Sequence, residues 1–346
     1  MTIIFMESFD HLTLAQITRK WTSTTGASQS ISASGRTGSC LRINGATSYL
    51  SKTVPSQANY ICGFAYKPDS TTGQWINTFD YPGGSHCALQ VTPTTMTLRA
   101  VRNGNSTPYF IQTVLATSAQ SLSENVWHYI ETKVTVDNAN GIFVVNVDGV
   151  EWINVSGVDT RYNDANLCAS ITFGHRYSSV SPDSYFDDIY IMDPDTAPSQ
   201  GFLGDRRVFC LRPNGAGATT QWTKGGSAAA ATNWESVDEV TPDDDVTNIT
   251  DATTNHVDTY EFEDLTAGVT AVTAVQVNII AKKDDVGARQ IAPVVRPVAT
   301  DRAGTSVALT TDYVDYMQVY NVNPETSSAW SKSEVDNSEF GVKQIT

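Results

Sequence analysis

Positive charge is scarce in this 346-residue chain: 22 lysines and arginines stand against 37 aspartates and glutamates, giving a net charge of −15 and a pI near 4.6. A polyanion such as nucleic acid would meet long-range repulsion, so it is set aside as a partner. Cysteine is sparse too. Cys40, Cys62, Cys87, Cys168 and Cys210 are odd in number and widely spaced, with no C-x-x-C pair. That pattern argues against a disulfide framework and against closely paired zinc ligands. Isolated thiols in apolar runs act as small hydrophobic residues, and they suit synthesis in a reducing cytoplasm. No apolar run approaches the roughly 20 residues that span a bilayer. The opening Met1 to Phe9 has no basic segment leading into an apolar one, so neither membrane insertion nor Sec export is expected.

Catalytic signatures are missing as well. No G-x-S-x-G elbow, phosphate-binding G-x-x-x-x-G-K-[ST] loop or dinucleotide G-x-G-x-x-G occurs. His11, His86, His128, His175 and His256 show neither H-E-x-x-H nor H-x-H spacing, so packing or surface roles are expected of them. Glu261-Phe-Glu263 alternates two carboxylates, but beside a turn in an acidic region, where solvated surface is the expected role.

What the chain has in abundance is Thr, Ser, Val and Asn, a mixture that favours strands. Up to about residue 195, short β-rich runs such as Tyr60–Tyr66, Trp75–Phe79 and Met96–Val101 recur about every ten residues between Gly, Pro, Asn and Ser, the pattern of a sandwich. Within Val126–Val136, Ile130, Thr132, Val134 and Val136 share a face expected to be buried, opposite a wet face of Trp127, Tyr129, Glu131 and Lys133. Asn140-Gly141 and Asp148-Gly149 are expected to supply positive-φ hairpin positions, which makes a three-stranded meander through Ile142–Val147 and Val150–Val155.

Asp193-Pro-Asp-Thr-Ala-Pro198 closes this region. The expected division is 1–198 as one domain, 199–207 as linker and 208–346 as a second, more acidic β-sandwich. In the second domain residues 213–255 form a loop-like stretch long enough to imply short strands within it. Val275, Val277 and Ile279 share one face of its strongest strand, and Lys332–Phe340 is the one candidate helix, with Ser331 as cap and Glu334 three residues on. Residues 1–200 carry −5 and residues 201–346 carry −10, and Asp243-Asp-Asp245 lacks the glycine and distal glutamate of an EF-hand.

Several ordered segments resemble a known architecture. N-V-W-H-Y-I-E-T-K-V-T-V (Asn125–Val136), F-V-V-N-V-D-G (Phe143–Gly149) and F-D-D-I-Y-I (Phe186–Ile191) resemble the laminin-G-like, concanavalin-type jelly roll. E-S-F-D (Glu7–Asp10) and G-R-T-G-S-C-L-R-I (Gly35–Ile43) resemble its versions in virion proteins of tailed bacteriophages. Leu203–Val208 is similar to the entry to a second domain in such proteins, and Asn323–Lys343 resembles their common ending, N-P-x-T-G-x-x-W-T-x-x-E-V-x-x-x-E-F-G-V-K. Ser327 stands where that ending has glycine, so a different turn is expected there.

The resemblance implies an all-β fold, an N-terminal jelly roll followed by a smaller β-sandwich. It also implies a non-enzymatic structural part of a virion: a tail fibre, baseplate appendage or head decoration. Such a protein would be made in the host bacterial cytoplasm, would meet other capsid or tail proteins at the virion surface, and would form homo-oligomers, trimers above all. Jelly rolls of this kind often hold one structural Ca²⁺, and Glu7, Asp10, Asp187 and Asp188 are its candidate ligands. Because neighbours on a strand face opposite ways, only one of Asp187 and Asp188 is expected at any one site. Tyr81, Tyr109, Trp152, Tyr162 and Tyr177 are candidate platforms for a host surface polysaccharide, although aromatics in sandwiches more often fill cores. A carbohydrate-binding adhesin is the alternative. A glycan depolymerase is least supported, since the E-x-D-x-E string of the β-glucan-cleaving members is absent.

Overall fold

The protein is described here by a computed structural model covering residues 2–103, 112–162, 164, 166–176, 183–194, 201–228 and 230–346. Packing divides the chain into two units, Met1–Phe9 with Thr13–Val208, and Asp10–Leu12 with Phe209–Thr346.

The first unit is a jelly-roll sandwich of two antiparallel sheets. One sheet runs Val150–Val158, Gly141–Val147, His128–Thr135, Asn59–Pro68, Ser184–Asp193, Cys40–Ile43 and Gln29–Ser32, and Thr2–Glu7 adds to the far end of Ser184–Asp193. The facing sheet runs Gln112–Ser121, Thr97–Asn103, Gly84–Val91, Gln74–Tyr81, Cys168–Gly174, Tyr49–Gln57 and Ser23–Thr25. Alternation explains the layer between them: the inward residues of each strand are large and apolar, so their side chains interdigitate. Phe64 meets Phe173 edge to face at 5.3 Å, Phe79 meets Phe143 at 6.2 Å, and Trp21 packs between Phe5 and Phe173. Cys40, Cys62, Cys87 and Cys168 are buried in this unit and none is disulfide-bonded. Burial raises the pKa of the Cys62, Cys87 and Cys168 thiols, which keeps them protonated and inert.

The meander forms as its pattern predicts, with Ile130, Thr132, Val134 and Val136 buried. Two details differ. Asp148 and Gly149 take positive φ in the tight turn (+51° and +79°), but Gly141 begins a strand and neither it nor Asn140 is in the left-handed region; that turn closes instead on Asp137 Oδ1, which accepts from Ala139 N and Asn140 N. The face expected to be wet is covered in its middle, where Tyr129 and Glu131 are as buried as the residues opposite, while Trp127 and Lys133 are half-buried. Strand order is the reason. Glu131, Gly63 and Tyr190 lie side by side on three neighbouring strands, and the absence of a side chain at Gly63 lets the Tyr190 ring lie across the backbone, its hydroxyl donating to Glu131 Oε1 at 2.5 Å. Gly204 N donates to the same oxygen at 2.9 Å.

The segment expected as a linker is therefore, over its described residues 201–207, bonded into the first unit. Arg36 Nη2 reaches both Asp205 oxygens at 2.8 Å, and Val208 N donates to Asp188 Oδ1 at 2.8 Å.

In the second unit a six-stranded sheet runs Pro213–Thr220, Val257–Phe262, Glu339–Gln344 and Gln290–Arg296, which is flanked by Arg302–Ala303 and Val307–Ala308. The ribbon Val275–Ala281 with Val314–Tyr320 supplies an opposing layer: Val277 and Tyr320 share a core with Val295, Phe340, Leu265, Trp330 and Val335. The long stretch after Pro213 does contain short strands, Thr223–Gly225 paired with Asn248–Thr250. The candidate helix is shorter than its pattern, Lys332–Asp336, with the Ser331/Glu334 capping box formed. The residues beyond it join the sheet, because Phe340 and Val342 alternate with polar neighbours and are buried. No helix among the described residues is long and apolar enough to cross a membrane.

Candidate functional site

The outer face of the seven-stranded sheet is assembled from residues that alternate with its core. Asn77 and Phe79 reach the opposite sheet through Thr132 and Phe143; Thr78, Asp80, His86 and Thr172 face away from it. Asp80 is almost wholly buried yet well bonded: hydroxyls of Thr78 (3.1 Å), Thr172 (2.6 Å) and Ser85 donate to it, and the Arg176 guanidinium pairs with it. Desolvation raises its pKa, opposed by Arg176 and the hydroxyls. Arg176 in turn lies over the Tyr49 ring at 5.4 Å.

At one end of this face Tyr81 and Tyr162 stack, with ring centroids 5.5 Å apart and planes 20° from parallel. His86 organises the pair. Its ring lies 4.8 Å from that of Tyr81, its Nδ1 accepts from Tyr162 N at 3.1 Å, and its Nε2 faces Leu167 O at 3.2 Å. Those partners require the neutral tautomer with the proton on Nε2, and burial lowers the pKa in the same sense. Polar groups border the rings: Arg161 Nη1 donates to Asn166 Oδ1 at 2.8 Å, and Arg102 donates to Arg161 O while pairing with Asp159 at 3.0 Å. The Tyr162 hydroxyl has no hydrogen-bond partner among the described residues.

Of the five aromatic candidates, the structure thus brings Tyr81 and Tyr162 together. Trp152 lies half-buried on Val150–Val158, in the other sheet. Tyr109 and Tyr177 fall outside the described residues. The sequence reading missed His86, Arg161 and Asn166; the alternation of His86 with Cys87 was the available signal, since it puts His86 on the outer face.

The four acids proposed as calcium ligands do not make a cation cage. Glu7 accepts from Phe9 N at 2.8 Å and Trp21 Nε1 at 3.0 Å, and pairs with buried Lys20 at 3.3 Å. Asp187 accepts from Arg36 N at 2.8 Å, and Asp188 pairs with Arg36 at 3.2 Å and Arg207 at 3.6 Å. Asp10 packs with the second unit. Contrary to simple alternation, Asp187 and Asp188 both serve Arg36, because a bulge between Asp187 and Tyr190, with Asp188 at φ +50°, breaks the pleat. Protein cations and N–H groups occupy the carboxylates of Glu7, Asp187 and Asp188, and among the described residues no three Asp, Glu, His or Cys side chains converge on a metal position. The residues present do not fit Ca²⁺.

No protein family matches the chain, and no curated protein does. Solved structures are similar to part of it. Alginate lyase Aly36B is similar at 11% identity over 55% of this chain and 96% of its own, with TM-score 0.40. The carbohydrate binding module CBM66 from Bacillus subtilis is similar at 10% identity over 49% of this chain and 94% of its own, TM-score 0.36. A conserved carbohydrate esterase from the Shiga toxin-encoding bacteriophage phi24B is similar at 13% identity over 54% of this chain and 98% of its own, TM-score 0.34.

Proposed function

We propose that this chain is a non-enzymatic surface component of a tailed-phage virion whose jelly roll contacts a host surface polysaccharide at the Tyr81–Tyr162 pair. The stacked pair itself carries the contact. It is a ring surface held by His86, with a Tyr162 hydroxyl that no described residue bonds and the Arg161–Asn166 pair at its border. Sugar rings present C–H faces to such platforms and hydroxyls to the polar groups around them.

The virion setting is supported by the order of the resembling segments, Glu7–Asp10, Gly35–Ile43, Asn125–Gly149 and Asn323–Lys343, which run across both units. Capsid or tail proteins and further copies of the chain are its partners in that setting. Binding without cleavage is supported by Asp80, the acid nearest the centre of this face, whose oxygens already accept from three hydroxyls and a guanidinium. A carboxylate so engaged is badly placed to trade protons with a glycosidic oxygen.

The test uses the full chain and purified capsular or lipopolysaccharide glycans of bacterial hosts. Tyr81→Ala and Tyr162→Ala should each weaken retention of a bound glycan about tenfold, the scale of losing an aromatic contact, with glycan length unchanged. Retention indifferent to both substitutions, or release of shortened chains, overturns the contact or its non-catalytic nature respectively. Mass spectrometry and labelling of purified particles decide the setting: absence from particles leaves a cellular adhesin.

A further inference from the structure

The second unit contains a cavity of about 310 Å³ between its six-stranded sheet and the segment 231–234. Its floor is set by strand register. Ala216 lies opposite Tyr260 on neighbouring strands, so a methyl group faces a large ring and leaves space above the sheet. Thr220, four residues further on and past a break in the register, lines the same floor. The opposite wall is Lys224 with Ala231, Thr232, Asn233 and Trp234.

The wall is fixed by Asp258, a buried carboxylate on the strand next to the floor. It accepts from Gln221 N and Trp222 N on one oxygen, and from Asn233 Nδ2 (2.6 Å) and Tyr260 OH (3.0 Å) on the other. Asn233 Nδ2 also donates to Trp222 O. Both amide hydrogens are thereby engaged, while Asn233 Oδ1 has no hydrogen-bond partner among the described residues; nor has the Thr220 hydroxyl. Lys224 Nζ donates to Ala231 O at 2.7 Å and keeps two further hydrogens to give.

We infer that this cavity binds a single neutral pyranose unit. Trp234 and Tyr260 offer ring surface, Asn233 Oδ1 can accept from a sugar hydroxyl, Lys224 can donate to one, and Thr220 can do either. The volume lies at the lower end for small-molecule sites, roughly 300–1,000 Å³, enough to seat one ring. The acidity of the region 201–346 disfavours a carboxylated or phosphorylated sugar. The site is separate from the tyrosine pair and does not depend on that reading.

Saturation-transfer NMR on the full chain, with the methyl glycosides of glucose, galactose and mannose and with N-acetylglucosamine, tests it. At least one probe should receive saturation. Ala216→Phe, which fills the space above Tyr260, should abolish the transfer, and Lys224→Met should weaken affinity roughly tenfold, the scale of one charge-assisted hydrogen bond. Tyr162→Ala should leave both unchanged. If Ala216→Phe does not fold, Lys224→Met decides alone, since its side chain is exposed. No transfer to any of the four probes, or transfer that survives Lys224→Met at full strength, overturns the inference.

Discussion

The two units hold themselves together by different means. In the jelly roll the interior is filled by volume: Trp21, Tyr66, Phe64, Phe143, Phe173 and Phe186 are wholly buried, and even the outward residues of Gln74–Asp80 and Gly84–Val91 are covered, leaving Tyr81 half-buried at the end. In the second unit a core gathers around Val295, Phe340 and Trp330, and several of its strands, Val275–Ala281 and Val314–Tyr320 among them, are mostly half-buried. In place of bulk it uses bonded acids. Asp258 ties four donors together, Glu339 Oε2 accepts from Ala218 N and Thr259 Oγ1, and Glu334 closes the helix cap. A unit with little apolar volume can still fix its loops when a few carboxylates gather backbone donors, because an unmet buried N–H is costly.

The contrast can be broken most severely at Gly63. A Cβ there would lie 2.1 Å from Tyr190 Cε1, so Gly63→Ala must push the ring off Glu131. Overpacking together with a buried carboxylate losing its donor should cost about 4 kcal/mol, read as a lower denaturant midpoint.

Acid should come next, through His175. The side chain is buried, with Nδ1 facing Gly45 O at 3.1 Å and Nε2 facing Ser184 Oγ at 3.0 Å, and burial lowers its pKa from 6.5 to about 4. Below pH 6.5 the unfolded chain takes up a proton that the folded chain refuses. Stability is therefore full above 6.5 and should fall by roughly 3 kcal/mol on going to pH 4. Melting curves of the wild type and of His175→Gln across that range should converge as the pH drops; parallel curves would clear His175 of the effect.

Asp258→Asn sharpens the comparison from the other side. It keeps shape but sets an NH₂ group among donors, and should cost about 2 kcal/mol in the second unit while hydrogen exchange in the jelly roll stays unchanged.

The smallest effect expected is a gain. Ser327 sits at φ +56° in a turn where Ser327 N donates to Asn323 O at 2.8 Å. The left-handed turn is thus retained without the glycine of the resembling sequences, and Ser327→Gly should stabilise by about 0.5 kcal/mol in a thermal melt.

Much of the architecture was legible in local pattern. Period-two alternation marked the strands, Asp148-Gly149 marked a hairpin, and Ser331 with Glu334 marked a helix start. The candidate site was legible only in part. Tyr81 and Tyr162 could be named as aromatics beside loops, but not as a pair, since 81 positions separate them and His86, which docks one against the other, looked like an isolated histidine. Glu131 shows the same limit: its place on the polar side of a strand pointed to solvent, and the return of Gly204 and Tyr190 buried it.

The residues themselves determined that this chain is all-β in two units, because each strand writes its two faces into adjacent positions. Tertiary structure alone decided which strands are neighbours, and with that which polar groups meet: Arg36 takes Asp187 and Asp188, two of the acids that the jelly-roll resemblance offered to calcium, Asp258 gathers the donors around a cavity, and His86 holds two tyrosines face to face. Alternation is a property of neighbouring residues, whereas charge pairing and ring stacking act through space between residues that the chain order leaves far apart.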